Sequence, residues 1–240
     1  MKAERGLLYE KGGVLGIGRK LVEVGVRLFR DMLKSLYFYI TPSGSFEYCG
    51  HRLKYFRHTY NLAYQNERKI EIPVAEWFLR AQRQGARILE VGNVLRNYGF
   101  RQERDICDKY DSSPGLINED VIDFSPSEKY DAIISISTLE HVGWDEAERD
   151  PGKIPVAIKN LRDNCMRPGG TMLVTLPVGY NAYFDEYLRL KDDLFSERHF
   201  LKRISADNVW EQVEYAKVAS SKFGEPYNNA NALFIGIVRA

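Results

Sequence analysis

At 240 residues, 44% hydrophobic and 28% charged, the chain suits one α/β domain with an extension or two small domains, and its composition excludes a disordered protein. Cys49, Cys107 and Cys165 are odd in number and far apart, with no CxxC or Cys/His cluster; this excludes a disulfide framework or structural zinc site and fits a reducing cytoplasm. The net charge of +1 hides an asymmetry: residues 1–70 carry 13 Lys/Arg against 6 Asp/Glu, and residues 71–240 carry 21 against 27, so a basic arm precedes a mildly acidic body.

The opening Met1-Lys2-Ala3-Glu4-Arg5 lacks the apolar core of a signal peptide, and no uncharged apolar run reaches the roughly 18 residues of a membrane span. Residues 12–18, Gly-Gly-Val-Leu-Gly-Ile-Gly, have the wrong glycine spacing for a dinucleotide loop and no buried strand before them, so they read as a flexible lead-in. Residues 19–40 read as a helix. Charged residues from Arg19 to Lys34 recur every three or four positions, and Leu21, Val22, Val26, Leu28, Phe29, Met32, Leu33 and Leu36 fill the other faces. Its wide apolar sector suits packing on the domain, on a second subunit of a homo-oligomer, or on a membrane as a peripheral contact. After a break at Thr41–Ser45, two aromatic runs flanking Cys49–Arg52 predict a small hairpin. Glu67–Gln82 reads as a helix with Pro73 near its start.

From Arg87 the chain alternates in the βαβ manner. Arg87–Val91 reads as a strand buried on both faces. Gly92 then permits a sharp turn, and Asn93 is placed to cap a helix through Val94, Leu95 and Tyr98. Asp105–Asp108 is a short second strand. Leu116–Asp123 leads to a third, Tyr130–Ile136 is a strong fourth and Thr171–Leu176 a fifth. Val209–Val218 and Ala232–Val238 are later β candidates, and Arg198 and His199 fall in a polar helix–loop region.

Ile88-Leu89-Glu90-Val91-Gly92 resembles the first motif of class I S-adenosylmethionine-dependent methyltransferases, and Leu139-Glu140-His141-Val142 after the fourth strand looks like their fourth. The resemblance implies a Rossmann-like, seven-stranded, mostly parallel sheet with helices on both faces and an antiparallel last strand. Residues 66–240 would form this domain, behind a 1–65 extension of helix and hairpin that covers substrate or contacts another subunit. S-adenosylmethionine would be the cofactor. Gly92 would approach its amino-acid tail, with Glu90, Asn93 and Ser137 nearby. Asp108, 18 residues after Glu90, would hold the ribose diol. Asp123 with Phe124 would take adenine, with Asp120 the competing candidate. His141 would be the general base of an O-methylation, with Glu140 beside it. Tyr180 and Asn181 would wall a small-molecule or glycan-like acceptor. Glu140 with His141, completed by Asp145 and Glu146, is the alternative grouping for a divalent metal, and no metal is assigned. Nucleic acid has only the basic arm in its favour and is not assigned as a partner. The rival reading is a non-catalytic module of the same fold that binds a partner through the basic helix.

Overall fold

The computed structural model describes residues 13–191 and 193–240. The described residues fall into two units that divide between Ser43 and Gly44. Within the described part of the first, Gly13–Ile40 is a single helix, α1. The predicted helix therefore begins earlier than residue 19, and Gly13–Gly18 are helical instead of a flexible lead-in. Gly12 and Met1–Arg5 lie outside the described residues.

The second unit opens with the predicted hairpin, β1 (Ser45–Tyr48) and β2 (His51–Lys54). Its two-residue turn, Cys49-Gly50, has both φ angles positive (50° and 76°), the left-handed geometry that two-residue hairpin turns favour. Phe46, Tyr48 and Tyr55 are buried against α2 (Arg68–Arg80) in one core. The hairpin therefore counts with the body, which starts at Gly44, ahead of the residue-66 boundary expected from sequence.

The body is a seven-stranded sheet. In chain order its strands are β3 (Ile88–Val91), β4 (Asp105–Cys107), β5 (Tyr130–Ile136), β6 (Met166–Pro177), β7 (Glu197–Arg203), β8 (Trp210–Val213) and β9 (Ala232–Arg239). In space they run β4-β3-β5-β6-β9-β7-β8. The pairs β4–β3, β3–β5 and β5–β6 are parallel, while β9 is antiparallel to both β6 and β7. The architecture is thus the expected Rossmann-like one, with its last strand reversed. The central strands are mostly apolar because both faces are covered. Ile88, Ile134 and Leu173 pack with α2, while Leu89, Ile133 and Met172 face α3 (Lys153–Asn160) and α4 (Ala182–Leu190). Fully burying each such side chain contributes about 1.5–3 kcal/mol.

Three elements depart from the sequence expectation. The helix after β3 is absent: residues 92–104 are just enough to cross to β4, and they hold only a short tight turn at Leu95–Tyr98. The third strand shrinks to one parallel bridge, Ile117 to Cys107. The seventh place in the sheet is filled instead by Glu197–Arg203, expected to be helix and loop. Its Phe200, Leu201 and Arg203 are buried among polar neighbours that mask the alternation.

Candidate active site

Strand β3 connects to β4 on one side and lies beside β5 on the other, so the chain order reverses there; a crevice forms at the carboxyl ends of open α/β strands at such a point. A cavity of about 280 Å³ occupies it. Its walls come from the loops after β3 (Gly92, Asn93), after β4 (Asp108, Lys109, Asp120, Val121) and after β5 (Ser137, Thr138, His141, Glu146).

Gly92 has φ +85°, and a Cβ there would meet Thr138 Oγ1 at 2.3 Å, so only glycine lets these two loops close on each other. Asn93 does not cap a helix. Its Nδ2 donates to Asp111 Oδ2 (2.8 Å), and its Oδ1 is buried without a partner among the described residues. The Asp108 carboxylate ties the loops together. Its Oδ2 accepts from Asn93 N (3.0 Å), and its Oδ1 accepts from Tyr110 N (2.9 Å) and Asp111 N (3.0 Å).

Across the opening, Lys109 Nζ donates to Asp120 Oδ2 (2.7 Å) and Glu146 Oε1 (2.9 Å), and Lys153 Nζ reaches Glu146 Oε2 (2.7 Å). Hydrogen bonds from Lys153 and Lys109 hold the Glu146 carboxyl down at about 2. Bonds to Asp120 and Glu146 push the Lys109 ammonium above its ordinary value.

Beside the cavity, His141 Nδ1 is hydrogen-bonded to Asp145 Oδ2, which also accepts from the Tyr180 hydroxyl at 2.7 Å. The amide of Asp145 bonds the His141 carbonyl (3.1 Å), so one closed turn puts the two side chains together. Burial alone would raise the Asp145 carboxyl, but the bonds from His141 and Tyr180 carry it below its ordinary value. Burial, then the bond to Asp145, raises the Tyr180 hydroxyl. His141 Nε2 lies 3.8 Å from Glu140 Oε1, too far for a hydrogen bond.

Five expected site residues are placed otherwise. Glu90 is buried behind the first loop. Its Oε1 accepts from Val94 N (2.8 Å) and Leu95 N (2.6 Å), and its Oε2 pairs with buried Arg104. With the helix missing, this acid holds the loop in its place. Asp123 is exposed and outside the cavity, and Phe124 belongs to the core under α3, its carbonyl accepting from Asn160. Asp120, the lower-ranked candidate, lines the cavity instead: without a third strand, the acid nearer the bridge at Ile117 reaches the rim. Glu140 is sealed under its own turn, with Oε2 unpartnered among the described residues; burial raises its carboxyl well above the ordinary value. Asn181 is 2% exposed and structural: its Oδ1 caps α4 at Phe184 N (3.1 Å), and its Nδ2 donates to the Glu140 carbonyl (3.0 Å).

Ser137 does line the cavity, but its hydroxyl donates inward to Glu71 Oε1 at 2.6 Å, as does that of Thr175. Among the described residues no group of three His, Cys, Asp or Glu is arranged to hold a metal ion. Sequence reading missed Arg104, Glu71 and the pairing role of Asp145, although the four-residue spacing from His141 to Asp145 was a signal for the last.

No family model and no curated protein matches the chain. Solved structures resemble it distantly. The N-methyltransferase NodS from Bradyrhizobium japonicum, in complex with S-adenosyl-L-homocysteine, is 14% identical with a TM-score of 0.44, covering 73% of this chain and 88% of that one. A TehB-like SAM-dependent methyltransferase from Corynebacterium glutamicum is 17% identical with a TM-score of 0.40, covering 69% and 85%. The sugar N-methyltransferase KedS8 from Streptoalloteichus is 14% identical with a TM-score of 0.38, covering 83% and 99%. At such distances the strand order of this chain is the firmer ground for its fold.

Proposed function

We propose that the protein is an S-adenosylmethionine-dependent methyltransferase acting on oxygen of a small-molecule or glycan-like acceptor, with His141 as general base. The observation that carries this reading is the meeting of Asn93, Asp108, Asp120 and His141, from three loops, on one cavity at the strand-order reversal.

The residues fit the cofactor part by part. Asn93 Oδ1 is a buried acceptor in want of a donor, which an ammonium supplies. Asp108 Oδ2 accepts one backbone N–H and keeps room for a ribose hydroxyl. Asp120 offers an acceptor for an exocyclic amine beside the apolar walls of Val121 and Val142. Bound S-adenosylmethionine would supply a methyl group on a positively charged sulfur.

The chain's own part in the reaction is to position the acceptor and to take its proton. The bond from His141 Nδ1 to Asp145 fixes the tautomer that leaves Nε2 free of hydrogen. Among the described residues Nε2 has no hydrogen-bond partner, and it is the atom that accepts the proton of an acceptor hydroxyl. Asp145 then stabilises the imidazolium, and Tyr180, bonded to the same carboxylate, braces it. Glu90 supports the cofactor loop through Val94 N and Leu95 N, and Asn181 holds the turn that carries His141 through the Glu140 carbonyl.

Titration calorimetry with S-adenosylhomocysteine tests the reading. Saturable one-site binding is expected, lost in Asp108→Ala. Absence of heat with the unaltered protein would reject it. Product mass after incubation with candidate hydroxyl and amine acceptors tests the acceptor atom.

A further inference from the structure

α1 is a 28-residue helix, about 42 Å long at 1.5 Å per residue. At 100° per residue, its apolar residues gather on one side. Leu21, Leu28, Phe29, Met32, Leu33 and Leu36 fall within an arc of about half the circumference, and each is between 48% and 66% exposed. Tyr37, Tyr39 and Ile40 extend that side to its end and are also exposed. Lys20, Glu23, Arg30, Asp31 and Lys34 hold the opposite side, interrupted by Val24 and Phe38. Over Gly13–Ile40 the sequence has five Lys/Arg and two Asp/Glu.

We propose that α1 is a membrane-surface helix, lying in the headgroup region of an anionic bilayer with its apolar side in the acyl boundary. Two observations select this partner. The first is width. A two-stranded coiled coil needs a narrow stripe, here Val22, Val26, Phe29, Leu33, Leu36 and Ile40, and would leave Leu21, Leu28 and Met32 in water. A bilayer covers the whole half-circumference. The second is charge: the polar side carries net positive charge, complementary to anionic lipid and opposite to the acidic balance of residues 71–240. Among the described residues no helix is long and apolar enough to cross a membrane, so the contact is with the surface. This inference stands apart from the proposed reaction, since it uses no residue of the cavity.

The test is sedimentation of the full chain with vesicles of phosphatidylcholine alone and of phosphatidylcholine with phosphatidylglycerol, together with light scattering of the lipid-free protein. Binding should favour the anionic vesicles and weaken with salt. It should fall roughly five-fold for each of Lys20→Gln, Arg30→Gln and Lys34→Gln. Phe29→Glu/Leu36→Glu should abolish it; both positions are exposed, so an unchanged melting curve would show that the fold survives. No sedimentation with either vesicle would overturn the proposal. So would a lipid-free dimer that Phe29→Glu/Leu36→Glu converts to monomer, since a second copy would then cover the face.

Discussion

Glu140 and His141 are neighbours in the chain and opposites in the structure. The imidazole stands at the cavity, side chain 47% exposed, with Asp145 and Tyr180 fixing its ring. The carboxyl beside it is 2% exposed and turned inward, toward the charges of Glu71 and Arg68. Below it, Glu71 is fully buried, with Arg68 on one oxygen and the hydroxyls of Ser137 and Thr175 on the other. One polar cluster is therefore open and available for chemistry, while the other lies inside, where each unpaired charge is costly. Two residues that look like one motif in sequence thus serve separate purposes.

Substitution of His141 divides the two clusters most sharply. His141→Ala should lower turnover by roughly 10²–10⁴-fold while leaving cofactor affinity and melting temperature near those of the parent. A merely structural His141 would do the reverse. On the buried side, Arg68→Met should cost about 3–5 kcal/mol of stability, because Glu71 would keep its burial and lose its counter-charge. Denaturant unfolding measures this, and a loss below about 1 kcal/mol would mean that solvent reaches the cluster.

Glu140→Gln should be mild. The raised carboxyl of Glu140 means that the unfolded chain releases this proton first as pH rises. Stability from this group is therefore full below the ordinary glutamate value and falls above it. The variant should match the parent in acid and exceed it progressively from pH of about 4.3 upward. A parallel pair of stability profiles would refute the upward shift that burial gives this carboxyl.

The smallest effect belongs to the Lys109–Glu146–Lys153 bridge at the cavity mouth. Glu146 is depressed to about 2, so its contribution is present above the ordinary glutamate value and lost as pH falls toward about 2. Lys109 is partly exposed, so screening limits the pair to about 1 kcal/mol or less. Glu146→Gln should flatten the acid limb by that amount, read from thermal melts between about pH 4.5 and 2.

Much of this was legible in the chain. Strands β3, β5, β6 and β9 declared themselves because burial on both faces demands mostly apolar runs, and Gly92, Asp108 and His141 followed because strand ends fix the rim residues. The loops were not legible. Asp123 and Asp120 are three residues apart on one irregular segment, and only the single bridge at Ile117 decides which carboxylate reaches the cavity.

The amphipathic character of α1 and the apolar runs of the central strands were written in the sequence by itself, as periodicity and burial set by backbone geometry. Which polar side chains face the cavity and which support it was decided by tertiary structure alone. Glu90 is held by Arg104, Glu140 lies over Glu71 and Arg68, and Asn181 caps α4. Each depends on partners brought from elsewhere in the chain or on a local cap, and charge placement in a buried setting follows from those partners, for which sequence spacing carries no period.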